Sequence, residues 1–435
     1  MESNPSGQSS SPISSSGKSS TEYREMAKKA LADMNGHYWT DKDGGHYIDT
    51  HGGTEEVTNF IAFWCSSIPV FALHTYYAAT NDEDAKAKIA AQWQHIQDKF
   101  REEQLTGRLG QAPNTAADDA AWDALYYLRT YQITGDTKAL DYARLLVRNS
   151  FDHWAIDGDL SNGMWYCDPT LYEGDIWAST YCAAHILVTL EYCDITRGTD
   201  DFDQELLDDA MKLYQWIEEH MRRDRVKTYE NGLQNGDSYT VNTVDYLYWM
   251  DYNFDRSTRT EKNGPDGGTR PDDITDNGSV SALLANMLMS SINAILYRQT
   301  GEDIYRQKAV ETANSMTKRY NIAGSLINDR DAYTNATFVY EYVKEVLPLE
   351  GIEPATIEVI GSTARNIVQD CRTEEGFYKV CWRKIPLGGK ACTRDVQKEY
   401  EKMQVTATTV SMVCGAALAE QMGLLVYPEP VSEGK

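Results

Sequence analysis

Asp118 and Asp119 stand side by side at the start of the run Asp118-Asp119-Ala120-Ala121-Trp122-Asp123-Ala124-Leu125. Adjacent residues of a helix do not share a face, so two such carboxyls reach one ligand only at a helix terminus or in a loop. Their Cα atoms lie ~3.8 Å apart. That tether suits the ~5–5.5 Å carboxyl separation of retaining glycosidic cleavage better than the wider inverting gap. A helix N-terminus favours ionisation of one carboxyl, and mutual repulsion raises the pKa of the other. The result would be one nucleophile and one proton donor. Asp is also a common helix N-cap, and Asp208-Asp209 and Asp272-Asp273 repeat the dipeptide. The pair therefore takes its meaning from its setting.

That setting is helical. Apolar residues recur at helical spacing near 22–34, 57–80, 85–103, 118–134, 137–152, 174–197, 202–222, 277–300, 302–320, 331–348, 354–370 and 404–425. No stretch shows sustained strand alternation with hairpin turns. Short polar turns join the helices in pairs: Tyr77 to Asp82, Tyr131 to Asp136, Tyr192 to Asp200, and Tyr297 to Glu302. In each, a Gly or Asn suits the left-handed helix end, and an acidic residue opens the next helix. Twelve helices in six pairs predict an all-α fold, an (α/α)6 toroid, with an open helical solenoid as the alternative. Irregular lengths and long connections between pairs favour closure.

The long connections are 35–56, 104–117, 153–173, 223–276 and 371–403. They would share one rim, where function concentrates. Asp118-Asp119 end one of them. The 223–276 connection holds Tyr239, Tyr246, Tyr248, Trp249, Tyr252 and Phe254, and connections of such length are usually functional or disordered. The expected organisation is a disordered Ser/Gly-rich linker over 1–21, a single domain over 22–428 and a tail over 429–435.

A net charge of −25 argues against nucleic acid, anionic membranes and polyuronates as partners. A neutral polysaccharide is compatible. The 28 Tyr and 10 Trp supply rings with polar tips, suited to wet apolar surfaces such as sugar sites or interfaces. No apolar run of ~18 residues is present, so no membrane span is expected. The N-terminal segment lacks an apolar signal core. A secreted, periplasmic or surface-anchored protein with its signal removed upstream is expected, a cytosolic tail being the alternative. The eight Cys make no CxxC or Cys/His zinc pattern, while Cys371, Cys381 and Cys392 cluster where a disulfide could form. Asp41 to His46, with Asp49, lacks the Glu and spacing of an EF-hand and reads as a turn. No HExxH pair and no Gly-rich phosphate loop exist, so no metal or other cofactor is expected. A monomer is expected.

Several segments carry a resemblance. The run from Asp118 through Trp122 to Thr134-Gly135-Asp136 is followed by Asn162-Gly163-Met164-Trp165-Tyr166 with Asp168-Pro169, then by Tyr181 to Thr196, then by Asp276-Asn277-Gly278. In that order, over roughly residues 30–425, they resemble the Asp-Asp, Asn-Gly-Gly-x-Trp-Trp, helical and Asn-Gln-Gly segments of glycoside hydrolase family 76, the endo-α-1,6-mannanases. The resemblance implies an (α/α)6 barrel and retaining hydrolysis, with Asp118 as nucleophile and Asp119 as general acid/base. Ala116-Ala117 stand where the family carries aromatics, Met164 stands for a Gly, Tyr166 for a Trp and Gly278 for a Gln. These departures bear on which glycan is bound.

Trp122, Trp165, Tyr166 and Trp177 are candidates for stacking on sugar rings, or else core aromatics. Asn162, Asp168, Asp276 and Asn277 are candidates for bonding sugar hydroxyls, or else turn caps. The expectation is a hydrolase of α-mannosidic, α-1,6 linkages. The alternatives are another (α/α)6 glycosidase or transglycosylase, an unsaturated uronyl hydrolase, and a non-catalytic glycan-binding protein.

Overall fold

In the computed structural model the described residues are 21–48, 64–107, 116–156, 161–166, 176–223, 226–229, 241–244, 246–249, 251–254, 283–322, 324–326, 336–380, 382, 398–426 and 428. One device ends and restarts most helices. Asn81, Gly135 and Gly301 take left-handed backbone angles just past a helix end. Asp82 and Asp136 then cap the next helix, accepting from the N–H groups of Ala85 and Lys138, and Asp203 caps the Gln204–His220 helix by accepting from Leu206. The turns expected from the sequence therefore fall where the chain reverses.

The helices are α1 (Glu22–Tyr38), α2 (Trp64–Thr80), α3 (Glu83–Lys99), the short α4 (Glu102–Leu105), α5 (Ala117–Thr134), α6 (Thr137–Trp154), α7 (Ala184–Thr196), α8 (Gln204–His220), α9 (Leu283–Thr300) and α10 (Asp303–Tyr320). They are followed by α11 (Val339–Glu341, continued by a π segment over Tyr342–Val346), α12 (Pro354–Asn366, continued by a π segment over Ile367–Cys371) and α13 (Met403–Gln421). Neighbour contacts run α2 to α5, α7, α9, α11, α13 and back to α2. Six inner helices thus close a ring. Helices α1, α3, α6, α8, α10 and α12 form an outer layer against it. The fold is the (α/α)6 barrel.

Burial separates the two layers. On inner helix α9 every residue from Leu283 to Leu296 is buried. Outer helix α8 buries a single stripe of Leu206, Ala210, Leu213, Tyr214, Trp216 and Ile217, as expected for a helix with one face to solvent.

Two sequence expectations need correction. The 174–197 segment is not one helix: Ile176–Ser179 form strand β3, Thr180–Ala183 a 3-10 turn, and only Ala184 onward is α-helical. The 223–276 connection is not without structure. Strands are β1 (Trp39–Thr40), β2 (His46–Tyr47), then β3, followed by β4 (Arg222–Arg223), β5 (Val226–Tyr229), β6 (Val241–Val244), β7 (Leu247–Tyr248) and β8 (Asp251–Phe254), with β9 (Asn321–Ile322) and β10 (Ser325–Leu326) further on. All pair antiparallel in twos, and β3 pairs with β8 in the register Ile176 to Phe254. These strands satisfy backbone groups of the rim connections without building a layer. Asp41 to His46 forms the expected turn: Asp41 accepts from the Trp39 indole at 2.8 Å inside the β1–β2 hairpin.

One ion pair crosses the ring. Arg129 of α5 meets Glu341 of α11, the inner helix three places round, at 2.6 and 2.7 Å from its Nη2. Nη2 also donates to the Thr337 carbonyl at 3.2 Å, and the guanidinium lies over the Phe71 ring of α2. Arg129 is 1 % and Glu341 4 % exposed. Removing one partner leaves a buried charge uncompensated, at about 3–5 kcal/mol. Glu341→Ala should therefore lower the urea unfolding free energy by about that amount, and Arg129→Met combined with Glu341→Leu should recover most of it. A single variant as stable as the parent would show that the pair is not what joins these helices.

Candidate active site

Every short turn follows an inner helix and every long connection precedes one. The N-termini of the inner helices therefore meet at the long-loop rim. Asp118 and Asp119 occupy the first turn of inner helix α5, at that rim. Ala116 is the N-cap and makes no side-chain cap bond. Instead the Asp118 carboxylate accepts from the Asp119 N–H at 2.9 Å, which places its charge on the positive end of the helix.

The two carboxyls diverge. Arg129 follows Asp118 by eleven residues, three turns and ~20° further round. Asp118 thus lies on the line of α5 that faces the barrel axis, where Arg129 reaches across to Glu341. Trp122 lies on this line one turn below Asp118, its ring 6.2 Å from that of Tyr181. Asp119 is rotated ~100° away, one turn above Asp123. Asp123 accepts from the Ser67 hydroxyl of α2 at 3.1 Å. The axial carboxyl is 3 % exposed and its neighbour partly exposed.

The Asn162–Tyr166 segment is brought to the same place by backbone bonds. The Ile156 and Trp165 amides donate to the Gly163 and Trp154 carbonyls at 3.0 and 2.8 Å. Trp165 bridges to Ala178 of β3. The Ala117 amide donates to the Tyr166 carbonyl at 2.6 Å, so this segment is tied directly to the residue before the Asp pair. Asn162 has φ +79°, and a Cβ on Gly163 would meet Trp216 at 2.6 Å. The Asn-Gly dipeptide is thus required by the turn and by the close approach to α8.

Among the sequence candidates, the structure brings Asp118, Asp119 and Trp122 together on α5 and sets Tyr166 beside them through Ala117, with Trp165 next in the segment and Asn162 at its turn against α8. Asn162 is exposed and Tyr166 partly exposed, whereas Trp122 and Trp165 are 3 and 4 % exposed and pack inward. Trp177 falls in β3. Asp168, Asp276 and Asn277 lie outside the described residues, as do Cys381 and Cys392. Trp249 reaches the site indirectly: its carbonyl accepts from the Thr180 hydroxyl beside Tyr181.

Sequence reasoning missed Asp123 and Tyr181. The signal for Asp123 was a lone acid inside an otherwise apolar stretch, Ala120 to Leu128. Burial holds its carboxyl well above the usual carboxylate range, and the Ser67 bond offsets this only in part. Among the described residues no group of three or more His, Cys, Asp or Glu side chains is arranged to hold a metal ion, and no helix is long and apolar enough to cross a membrane.

No protein-family model matches the sequence, and no curated protein matches it either. Solved structures do. An α-1,6-mannanase of glycoside hydrolase family 76 from a Salegentibacter species, in an inactive variant bound to α-1,6-mannotetrose, aligns with a TM-score of 0.65 at 16% identity. The alignment covers 91% of this chain and 99% of that one. A family 76 α-mannanase from Bacteroides thetaiotaomicron aligns at 0.63 with 14% identity over 92% of this chain and 96% of that one. The chain has the fold of the family 76 mannanases. An unsaturated glucuronyl hydrolase from Streptococcus agalactiae has a related fold, with a TM-score of 0.55 at 12% identity over 90% of each chain.

Two measurements test this site. Gly163→Ala forces Trp216 or the rim segment to move, and overpacking of this kind costs about 1–3 kcal/mol. Its melting temperature should fall, and an unchanged one would show that Trp216 yields freely. Asp123→Asn should stabilise the protein increasingly as pH rises. The folded state keeps a proton on Asp123 that the unfolded chain releases above about pH 4. Native stability therefore falls with pH, by up to ~1.4 kcal/mol per unit, until the folded pKa is passed. Urea midpoints that differ by a constant amount between about pH 4 and 8 would contradict this.

Proposed function

We propose that this chain is a retaining glycoside hydrolase that cleaves α-mannosidic, specifically α-1,6, linkages within mannan-type polysaccharide. The observation that carries the reading is the adjacent Asp pair on the N-terminus of an inner helix, at the rim where the long connections converge. Two supports stand beside it. The Salegentibacter mannanase bound to α-1,6-mannotetrose is inactive through replacement of two consecutive aspartates by alanine. The ~3.8 Å Cα spacing and ~100° divergence of Asp118 and Asp119 suit the ~5–5.5 Å separation of retaining enzymes.

In this reading the roles follow from the surroundings. The Asp118 carboxylate, axial and bonded to a first-turn N–H, attacks the anomeric carbon. Asp119, more open and rotated toward α2, protonates the departing glycosidic oxygen. A covalent glycosyl–Asp118 ester forms as that bond breaks. Asp119, now a carboxylate, takes a proton from water, which attacks the same carbon and releases the sugar with retained configuration. Tyr166, held beside the pair through its carbonyl bond to the Ala117 amide, bounds the sugar at the mouth.

Incubation with linear α-1,6-mannan should release reducing ends, and NMR of the first product should show the α anomer. Asp118→Asn and Asp119→Asn should each cut turnover by about 100- to 10,000-fold or more with the melting curve unchanged. Full activity in either variant would sink the assignment. A β anomer as first product would replace retention by inversion.

A further inference from the structure

A second sugar-sized groove lies on the outside of the barrel wall. It runs between outer helices α8 and α10 as an open, shallow depression of about 410 Å3. Its floor is a closed polar network. The Lys308 ammonium donates to Glu218 at 2.6 Å and to the Tyr214 hydroxyl at 3.3 Å. Tyr214 donates to Asn293 of α9 at 2.7 Å, Asn293 donates to the Tyr248 hydroxyl at 3.3 Å, and Tyr248 donates to Glu218. Each polar group of the floor is fixed before any ligand arrives, so ordering it costs a ligand little.

The lips differ from the floor. On α8, Gln215 and Glu219 are exposed one turn apart, as neighbours on one helix face. On α10, the partly exposed Tyr305 is braced edge-on by Tyr214, with ring centroids 5.9 Å apart. Ile304 beside it is 50 % exposed, and among the described residues only it and Val426 are large hydrophobics left so open. A braced aromatic ring and an open aliphatic side chain facing an amide and a carboxylate form a surface that is apolar on one side and hydrogen-bonding on the other. That matches the two faces of a pyranose ring. Glu218 and Glu219 against the single Lys308 leave the groove with one net negative charge, which repels uronates and favours an uncharged sugar.

We infer that the α8–α10 groove is a secondary binding site for a neutral oligosaccharide segment, separate from the Asp118–Asp119 site and holding polymer on the outer wall. The inference rests on the reading of this chain as one that acts on a neutral polysaccharide. None of the groove residues belongs to the reacting centre.

The test is native electrophoresis in gels containing α-1,6-mannan or, separately, a polyuronate. The proteins are the parent, Asp119→Asn, and a Tyr305→Ala/Gln215→Ala double variant. Mannan should retard the parent and Asp119→Asn alike, and the double variant should lose at least half of that retardation. Its hydrolysis of a short soluble α-1,6-mannooligosaccharide should stay within twofold of the parent. Equal retardation of parent and double variant, no retardation of the parent by mannan, or equal retardation by polyuronate would each overturn the groove assignment. Retardation lost in the double variant while the parent hydrolyses nothing would leave the groove standing and remove the catalytic reading instead. A melting curve of the double variant matching the parent confirms that both are compared as folded protein.

Discussion

The Arg129–Glu341 pair is the interaction on which the geometry of the barrel depends. Two charges taken out of water cost several kcal/mol each, and only close, well-satisfied contact returns that cost. Here the partners belong to α5 and α11, on opposite sides of the inner ring. They meet only if the ring closes with the right number of helices and the right rotation of each. An open solenoid, the alternative compatible with the sequence, would not bring the two side chains together. The pair therefore contributes less to net stability than to selecting one closed arrangement. It also sets the rotation of α5, so that the line carrying Asp118 and Trp122 faces the axis.

Closure has an electrostatic consequence. All inner helices present their N-termini to the same rim, each carrying roughly half a positive charge. The chain as a whole bears −25, and these helix ends supply local positive potential against that acidic background. A carboxylate bonded to a first-turn amide, as Asp118 is, gains from that field. The opposite rim shows the complementary arrangement. Arg298, in the last turn of α9, binds Asp194, Glu345 and Glu191 at 2.6, 3.0 and 3.2 Å, tying the C-terminal ends of three inner helices together. Arg298 there offsets the carboxylates on the helix ends it joins, so this rim is braced while the other carries the long connections.

Much of this was legible in the sequence because it is encoded locally. Gly135 with Asp136 and Asn81 with Asp82 state a helix stop and a helix start within two residues. Their spacing reveals the pairs, and the pairs reveal the toroid. Where the chain relies on distant partners, local reading fails. Ile176 to Ser179 look like the continuation of a helix until β8, more than seventy residues away, supplies the pairing. Asp123 and Arg129 look like polar interruptions of an apolar stripe, since nothing near them in sequence announces Ser67 or Glu341. At the site, the position of the Asp pair on the long-loop rim could be read, whereas the divergence of its two side chains required the helix rotation that Arg129 fixes.

The aromatic residues show that composition alone does not reveal where rings are used. Abundant Tyr suits sugar binding, yet Tyr38, Tyr126, Tyr127, Tyr192, Tyr248 and Tyr342 are each fully buried in the barrel walls. Several use the hydroxyl to satisfy a backbone carbonyl across a layer boundary: Tyr127 donates to Leu105, Tyr192 to Asp201 and Tyr38 to Glu401. A ring wide enough to fill the gap between inner and outer helices, with a donor at its far end, serves where a curved wall leaves connecting backbone unsatisfied. The same demand explains the inward Trp122 and Trp165. They pack behind the Asp pair and the Asn162–Tyr166 segment, and so keep two flexible carboxyl side chains on a rigid base. Under the proposed reading, that rigidity matters more at this position than one additional stacking surface, because a displacement of 1 Å at a reacting carboxyl can cost about a hundredfold in rate.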